Sequence, residues 1–557
     1  MRKLILGALL ALAAGPALCA QEGEVTVLTA ARIHTSDPQR PQAGALAWDA
    51  EGRVLAVGDA AQLLARYPGA RRVDAGEATV IPGLIDAHGH VMGLGYALLR
   101  ADLTGTRSKD EALARLREYE KQLPPGAWLL GGGWDQNHWP GKAFPTAADL
   151  DAAFPQRPVW LERVDGHAGW ANSAALRAAA ARSPRSLDGD WHPEGGRIER
   201  DAGKPSGVLI DRAMKLVDDA IPPLDESQRE QALRKALDAA VRNGLTGVHD
   251  MGVSREDLAL MRKLADAGEL PLRIDAYADG DGEALEDLCA HGLYRHAGGR
   301  LQMRGVKLYA DGALGSRGAA LLEDYSDDHG NRGLLVTEPA ALESAMRKAK
   351  RCGVQVATHA IGDRGNRIVI DAFEKVLGAD KDGDHRWRVE HAQVVSLQDI
   401  PRFAPLGVIA SMQPTHATSD MPWAQDRVGP QRILGAYAWQ RFLHSGARLA
   451  LGSDFPVESP DPRLGLHAAV ARQDRNGQPP GGWLPDQRLG AAEALRGFTA
   501  DAAWAGFDEN VVGRLAPGLR ADFVILAGDP LAVPAQALIG LEILSTWVDG
   551  RPVYQAR

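Results

Sequence analysis

Between residues 79 and 454 the chain repeats one arrangement eight times: a short apolar run that closes on polar or ionisable residues, set between stretches whose apolar residues have helical spacing. The runs are 79–86 (TVIPGLID), 245–250 (LTGVHD), 272–277 (LRIDAY), 305–310 (GVKLYA), 354–359 (VQVATH), 386–391 (RWRVEH), 408–413 (VIASMQ) and 448–454 (RLALGSD). Strands that alternate with helices cannot pair as hairpins, so they predict a parallel sheet covered by helices. Eight such strands close into a barrel. A ninth run, 158–164 (PVWLERV), would spoil that count. It falls in residues 104–225, a stretch too long for a strand-to-helix connection, and is therefore assigned to an inserted subdomain. The insertion leaves from the end of the first strand, where it can act as a lid. Ala232, Leu233, Ala236, Leu237 and Ala240 then predict the first barrel helix over 227–243.

The two ends of the chain share a different texture. Short β-like runs at 25–28, 45–48 and 53–57 are matched by 521–526 (ADFVIL) and 543–548 (ILSTWV), the last followed by the hairpin signal Asp549-Gly550. Neither set suffices for a stable sheet, which predicts one small domain built from both termini. The expected fold class is α/β: a (β/α)8 TIM-like barrel over 79–103 and 226–507, a composite β-sandwich over 21–78 and 508–557, and an inserted α/β subdomain over 104–225.

Residues 1–20 read as an export signal, with Arg2 and Lys3 ahead of an apolar stretch at 4–18 and a cleavage region at Cys19-Ala20-Gln21. The stretch is too short to span a bilayer comfortably. Leu18 stands where a lipoprotein signal would need a small residue, so lipidation is the weaker reading. Signal removal leaves only Cys289 and Cys352, enough for at most one disulfide. A periplasmic or secreted protein, without stable membrane insertion after cleavage, is expected. A net charge of -9 with no basic stripe excludes a nucleic-acid partner. The sequence leaves a homo-oligomer open.

Within the first run, IPGLIDAHGH places His88 and His90 two apart, and residues two apart on a strand face the same way. Two imidazoles so placed can grip one metal ion, with Gly89 keeping the space between the rings clear. Four further residues stand in other runs: Lys307 in RGVKLYADG, His359 in VQVATHAIGD, His391 in WRVEHAQ and Asp454 in LALGSDFPV. Strand ends of a parallel barrel converge at one mouth, so these six would meet.

From PGLIDAHGH to GLRADFVIL, through GLTGVHDMG, VKLYADGALGSRGA, THAIGDRGN, RVEHAQ and LGSDFPVE, the chain resembles the amidohydrolase superfamily. Within it, the similarity is to the amidohydrolase 3 or YtcJ-like family and its N-substituted formamide deformylase-type metal-dependent hydrolases. RVDGHAGWANSAAL in the insert resembles that family's additional domain. The resemblance implies two divalent cations, one held by His88, His90 and Asp454 and the other by His359 and His391. Lys307 would bridge them as a carbamate. A protonated lysine between two cations would be repelled, whereas a carbamate supplies an oxygen to each. Zinc is the leading ion for such mixed ligation, although manganese, iron and cobalt fit similar sites.

The activity so implied is hydrolysis of a non-peptide carbon–nitrogen bond in a small-molecule amide by a metal-activated water. Asp454 would be the general acid/base, moving a proton to the leaving nitrogen. The alternatives are deamination of a cyclic amidine, hydrolysis of a small dipeptide or ester, and a non-catalytic scaffold, which the complete set of six residues disfavours. Candidate substrate contacts are Arg317, Asp311 and Ser316 in DGALGSRGA, a loop read either as shaping the pocket or as turning the chain, and His167 in VDGHAGW with Trp134 and Asp135 in GGGWDQ, read either as reaching over the site from the insert or as ordinary surface loop. Arg317 could pair with a substrate carboxylate. His249 and His416 are read either as lining the mouth or as buried structural residues.

Overall fold

The computed structural model describes residues 24–556 apart from 165, 167, 194 and 195. The candidate export signal at 1–20 and His167 lie outside the described residues.

Eight parallel strands form the barrel: β1 (Leu84–Gly89), β2 (Leu245–Val253), β3 (Arg273–Asp279), β4 (Leu301–Tyr309), β5 (Gln355–Ala360), β6 (Arg388–His391), β7 (Ile409–Met412) and β8 (Arg448–Leu451). They pair in sequence order from β1 to β8. Closure runs through a parallel bridge between Gly89 and Phe455, just beyond β8. A helix over Glu226–Arg242, with Asp225 in a capping box, follows the insertion as expected. It buries Leu233, Ala236, Leu237 and Ala240 in the main core, on the periodicity its sequence carries.

One strand was expected over 79–86, but two are present. Thr79–Pro82 joins the sheet of the two termini, and β1 starts only at Leu84. Pro82 and Gly83 end the first pairing, and Gly83 lies so close to the Thr246 side chain that a Cβ there would stand 2.1 Å from Oγ1. The terminal sheet has eight strands. Its main path runs Arg551–Gln555, Ile543–Val548, Phe523–Leu526, Thr79–Pro82, Thr26–His34, Gln42–Trp48 and Val54–Gly58, and Arg71–Asp74 pairs beside Thr26–His34. Both ends of the chain thus share one sheet, with Trp48, Phe523 and Trp547 packed on one face.

The insertion carries its own six-stranded sheet, which begins at Ala101 and includes the ninth run as Val159–Arg163. Its core is separate from the barrel's and contains Trp134, Trp139, Trp170 and Phe154. Cys289 and Cys352, on neighbouring helical segments outside the barrel, form a disulfide that closes 63 residues of chain. No helix among the described residues is long and apolar enough to cross a membrane.

Candidate metal centre

Closure of the barrel assembles the first candidates. Asp86 in β1 accepts from the backbone N–H groups of His88 at 3.0 Å and Ser453 at 2.9 Å, and from Ser453 Oγ at 2.6 Å. The Asp454 N–H donates to the His88 carbonyl at 2.7 Å, and the His90 N–H to that of Phe455 at 2.8 Å. Gly452 permits this approach, because a Cβ there would stand 2.5 Å from the His88 nitrogen. Gly89 does the same for the Phe455 ring, which a Cβ would meet at 2.5 Å. Its lack of a side chain therefore serves strand closure as well.

The six predicted residues meet in the space so formed. Asp454 Oδ1 lies 3.1 Å from His90 Nε2 and 3.4 Å from His88 Nε2, and Asp454 Oδ2 lies 4.0 Å from His391 Nδ1. His88, His391 and Asp454 are buried, each with a potential ligand atom within 4.8 Å of the others. Lys307, 1% exposed, brings its Nζ to 3.1 Å from His88 Nε2. The His359 ring is centred 4.6 Å from that of His391, which is centred 4.8 Å from that of His88. His90 is the most open of the six, at 31% side-chain exposure, because it stands just past β1 as the N-cap of a helix over Val91–Leu98.

Two of these six adopt backbone conformations that a non-glycine residue rarely takes. His391 has φ 71° and Asp454 φ 63°. Strain of this kind costs on the order of 1 kcal/mol or more per residue and concentrates at functional sites.

Electrostatically, the pocket favours neutral nitrogen bases beside one anion. Burial and the nearby Lys307 push His88 down to about 4 and His359 to about 3. Burial, then His359, holds His391 well below the usual imidazole range. Burial also lowers Lys307. For Asp454 burial acts in the opposite sense, yet the imidazoles of His88, His90 and His391 keep its carboxyl well below the ordinary carboxylate range. Neutral imidazoles and an ionised carboxylate are the protonation states that metal ligation requires.

The chemistry of the donors fits a divalent cation. Two histidines and a carboxylate within 4.8 Å form a mixed nitrogen–oxygen set of the kind zinc takes. His391 Nδ1 is 2.8 Å from the Gln413 side-chain oxygen, an arrangement that aims Nε2 elsewhere. Buried His359 Nε2 has no hydrogen-bond partner. An unsatisfied buried nitrogen costs about 1–3 kcal/mol, which a bound cation would offset.

A second layer lies beneath these residues, and its Arg388 and Glu390 were not singled out in the sequence. Glu390 places Oε2 at 2.5 Å from His88 Nδ1, and Arg388 places Nε at 2.7 Å from Glu390 Oε1. Both are wholly buried inside the barrel. The available signal was the spacing: Arg388 and Glu390 are two apart on a buried strand and carry opposite charges, so alternation puts both on one face. His249 belongs to the same layer, with Nδ1 2.8 Å from Arg388 Nη1. That is the buried structural reading of His249, while His416 sits at the mouth with Nε2 3.7 Å from Asp454 Oδ2.

The predicted substrate contacts are placed differently. Trp134 is fully buried in the core of the insertion and donates its indole N–H to the Leu161 carbonyl at 2.7 Å. The triglycine before it belongs to a strand, Leu129–Trp134, which turns the indole inward. Asp135 is ion-paired with Arg163 at 2.6 Å. Arg317 does not offer a free guanidinium: its Nη2 is bound to Asp327 at 2.9 Å. Asp311 is buried and accepts from the N–H groups of Ala320, Ile361 and Gly362 at 2.8–2.9 Å, tying the loop after β4 to the end of β5. Burial, against those three donors, raises it to about 7. Ser316, in the same loop, donates to the Ala313 carbonyl at 3.4 Å.

Comparison with known proteins agrees with this geometry. The model of the amidohydrolase family matches residues 71–554. YtcJ of Bacillus subtilis is 36% identical over 517 residues, covering 91% of this chain and 95% of its own length. N-substituted formamide deformylase of Arthrobacter pascens is 29% identical over 523 residues, covering 90% and 93%. A metal-dependent hydrolase from Pyrococcus horikoshii has a TM-score of 0.77 at 29% identity, with 92% of this chain and 99% of that one covered.

Proposed function

Because the chain belongs to the amidohydrolase family, we propose that it hydrolyses a non-peptide carbon–nitrogen bond in a small-molecule amide, with two divalent cations, zinc by preference. The observation that carries this reading is the convergence of His88, His391 and Asp454 within 4.8 Å, with the Lys307 amine 3.1 Å from His88 Nε2. His88, His90 and Asp454 would hold one cation, His359 and His391 the other, with Lys307 as a bridging carbamate. Bound there, the cations would supply Lewis-acid activation of a water and of the substrate carbonyl.

The chain's own groups supply the rest. Asp454, ionised and directed between three imidazoles, takes the proton of the attacking water. It then delivers that proton to the leaving nitrogen, without which an amine departs poorly. Lys307 is enclosed by the barrel, where a protonated amine would oppose a cation and a carbamate would attract one.

Similarity to the formamide deformylase of Arthrobacter pascens favours N-formyl and N-acyl amides as the first substrates to try. The Cys289–Cys352 disulfide and the basic-then-apolar start of the sequence support an exported protein in an oxidising compartment. Metal analysis of the purified chain, followed by a screen of N-formyl and N-acyl amides with metal removed and restored, tests the proposal. Turnover that disappears with the metal and returns with it is expected. A metal-free protein with undiminished amide hydrolysis would refute it.

A further inference from the structure

We propose that Glu390, clamped by Arg388, is a positioning residue: it fixes the proton of His88 on Nδ1 and so presents Nε2 to a divalent cation. The inference rests on the metal-site reading above and adds to it a residue that touches neither cation nor substrate.

A neutral imidazole has one donor nitrogen and one acceptor, and an ionised carboxylate only accepts. The 2.5 Å contact between Glu390 Oε2 and His88 Nδ1 therefore places the hydrogen on Nδ1. The lone pair is left on Nε2, which lies 3.1 Å from Lys307 Nζ and 3.4 Å from Asp454 Oδ1. A carboxylate on the far nitrogen also makes the imidazole a more basic ligand.

Arg388 pairs with Glu390: its Nη2 donates to Oε2 at 3.2 Å, and its Nε lies 2.7 Å from Oε1 as a charge contact without hydrogen-bond alignment. Arg388 is itself held from four other strands, with His249 Nδ1 of β2 at 2.8 Å from its Nη1. Its Nη2 donates to the Ala87 carbonyl in β1 at 2.6 Å and to Ser411 Oγ in β7 at 2.7 Å, and its Nη1 donates to the Tyr277 hydroxyl in β3 at 3.1 Å. Barrel geometry thus passes through Arg388 and Glu390 to the orientation of one ring. A merely structural ion pair would satisfy Arg388 without any need for His88.

The test compares the parent chain with Glu390→Asp and Glu390→Gln. Zinc affinity is measured by competition with a chromogenic chelator, and the visible spectrum is recorded with cobalt(II) bound. The expected result is at least a tenfold loss of zinc affinity in Glu390→Gln, a smaller loss in Glu390→Asp, and an altered cobalt spectrum in both, in line with the roughly 10–100-fold effect of such outer partners. Should Glu390→Gln fail to fold, Arg388→Met/Glu390→Gln, which leaves no unpaired guanidinium, takes its place with the same tenfold loss expected. Parent-like affinity in a folded variant overturns this inference alone, whereas a parent chain that binds no zinc overturns the proposed function together with it.

Discussion

The backbone N–H of Asp454 donates to the carbonyl oxygen of His88 at 2.7 Å, so the seam that closes the barrel also sets a carboxylate against an imidazole. The same seam fixes Asp454 Oδ1 at 3.4 Å from His88 Nε2. Ligand geometry and barrel closure are here one piece of structure, and disturbing the seam should disturb both.

Asp454→Asn separates the charge from the fold. Asparagine tolerates the left-handed backbone at φ 63° as readily as aspartate does, so the seam should survive. The amide cannot take up the water proton, and turnover should fall by about 10²–10⁴-fold. Steady-state kinetics and a thermal melt on the same preparation check both halves. Retained turnover in Asp454→Asn would move the general acid/base to another residue.

Lys307→Ala should remove one equivalent of metal and abolish turnover. The truncated side chain leaves an enclosed space beside His88 Nε2, where Nζ stood at 3.1 Å. A small carboxylate such as formate has the charge and size to enter it, so added formate should restore part of the metal content. Metal analysis with and without formate reads this directly, and unchanged metal content in the variant would dismiss the bridge.

How much of this was legible in the sequence depends on what each residue depends on. The eight barrel strands were readable because each is a short apolar run in a helix-alternating chain, and the six site residues because each lies within three residues of a strand's C-terminal end. The break at Pro82-Gly83 was not, since an apolar run reads alike whether it stays in one sheet or crosses between two. Glu390 was hidden by its neighbour. Alternation along β6 faces Arg388 and Glu390 together, and His391 reaches the site only through its left-handed backbone, which no periodicity predicts. Trp134 read as a substrate contact because Gly131, Gly132 and Gly133 mask a strand whose neighbours come from distant parts of the insertion.

The disulfide offers a prediction independent of the metal. Cys289 and Cys352 close 63 residues of chain, a constraint worth roughly 4 kcal/mol in the loop-entropy account. Cys289→Ser/Cys352→Ser should lower the unfolding free energy by about that amount while leaving metal content unchanged, because neither cysteine belongs to the ligand set. Denaturant titration of both proteins measures it. An equally stable variant would mean the bridge constrains little in the unfolded chain.

Trp134→Phe tests whether this residue meets substrate or only holds the insertion together. Phenylalanine keeps an aromatic ring against Trp139 and Trp170, whose centroids lie 5.9 and 6.1 Å away, but loses the N–H donated to Leu161. One unsatisfied buried carbonyl costs about 1–3 kcal/mol, which should appear as a lower melting temperature or easier proteolysis of the insertion. With no exposed surface on Trp134, KM for any substrate found by the amide screen should stay near that of the parent. A KM raised by tenfold or more, with an unchanged melt, would instead return Trp134 to the substrate.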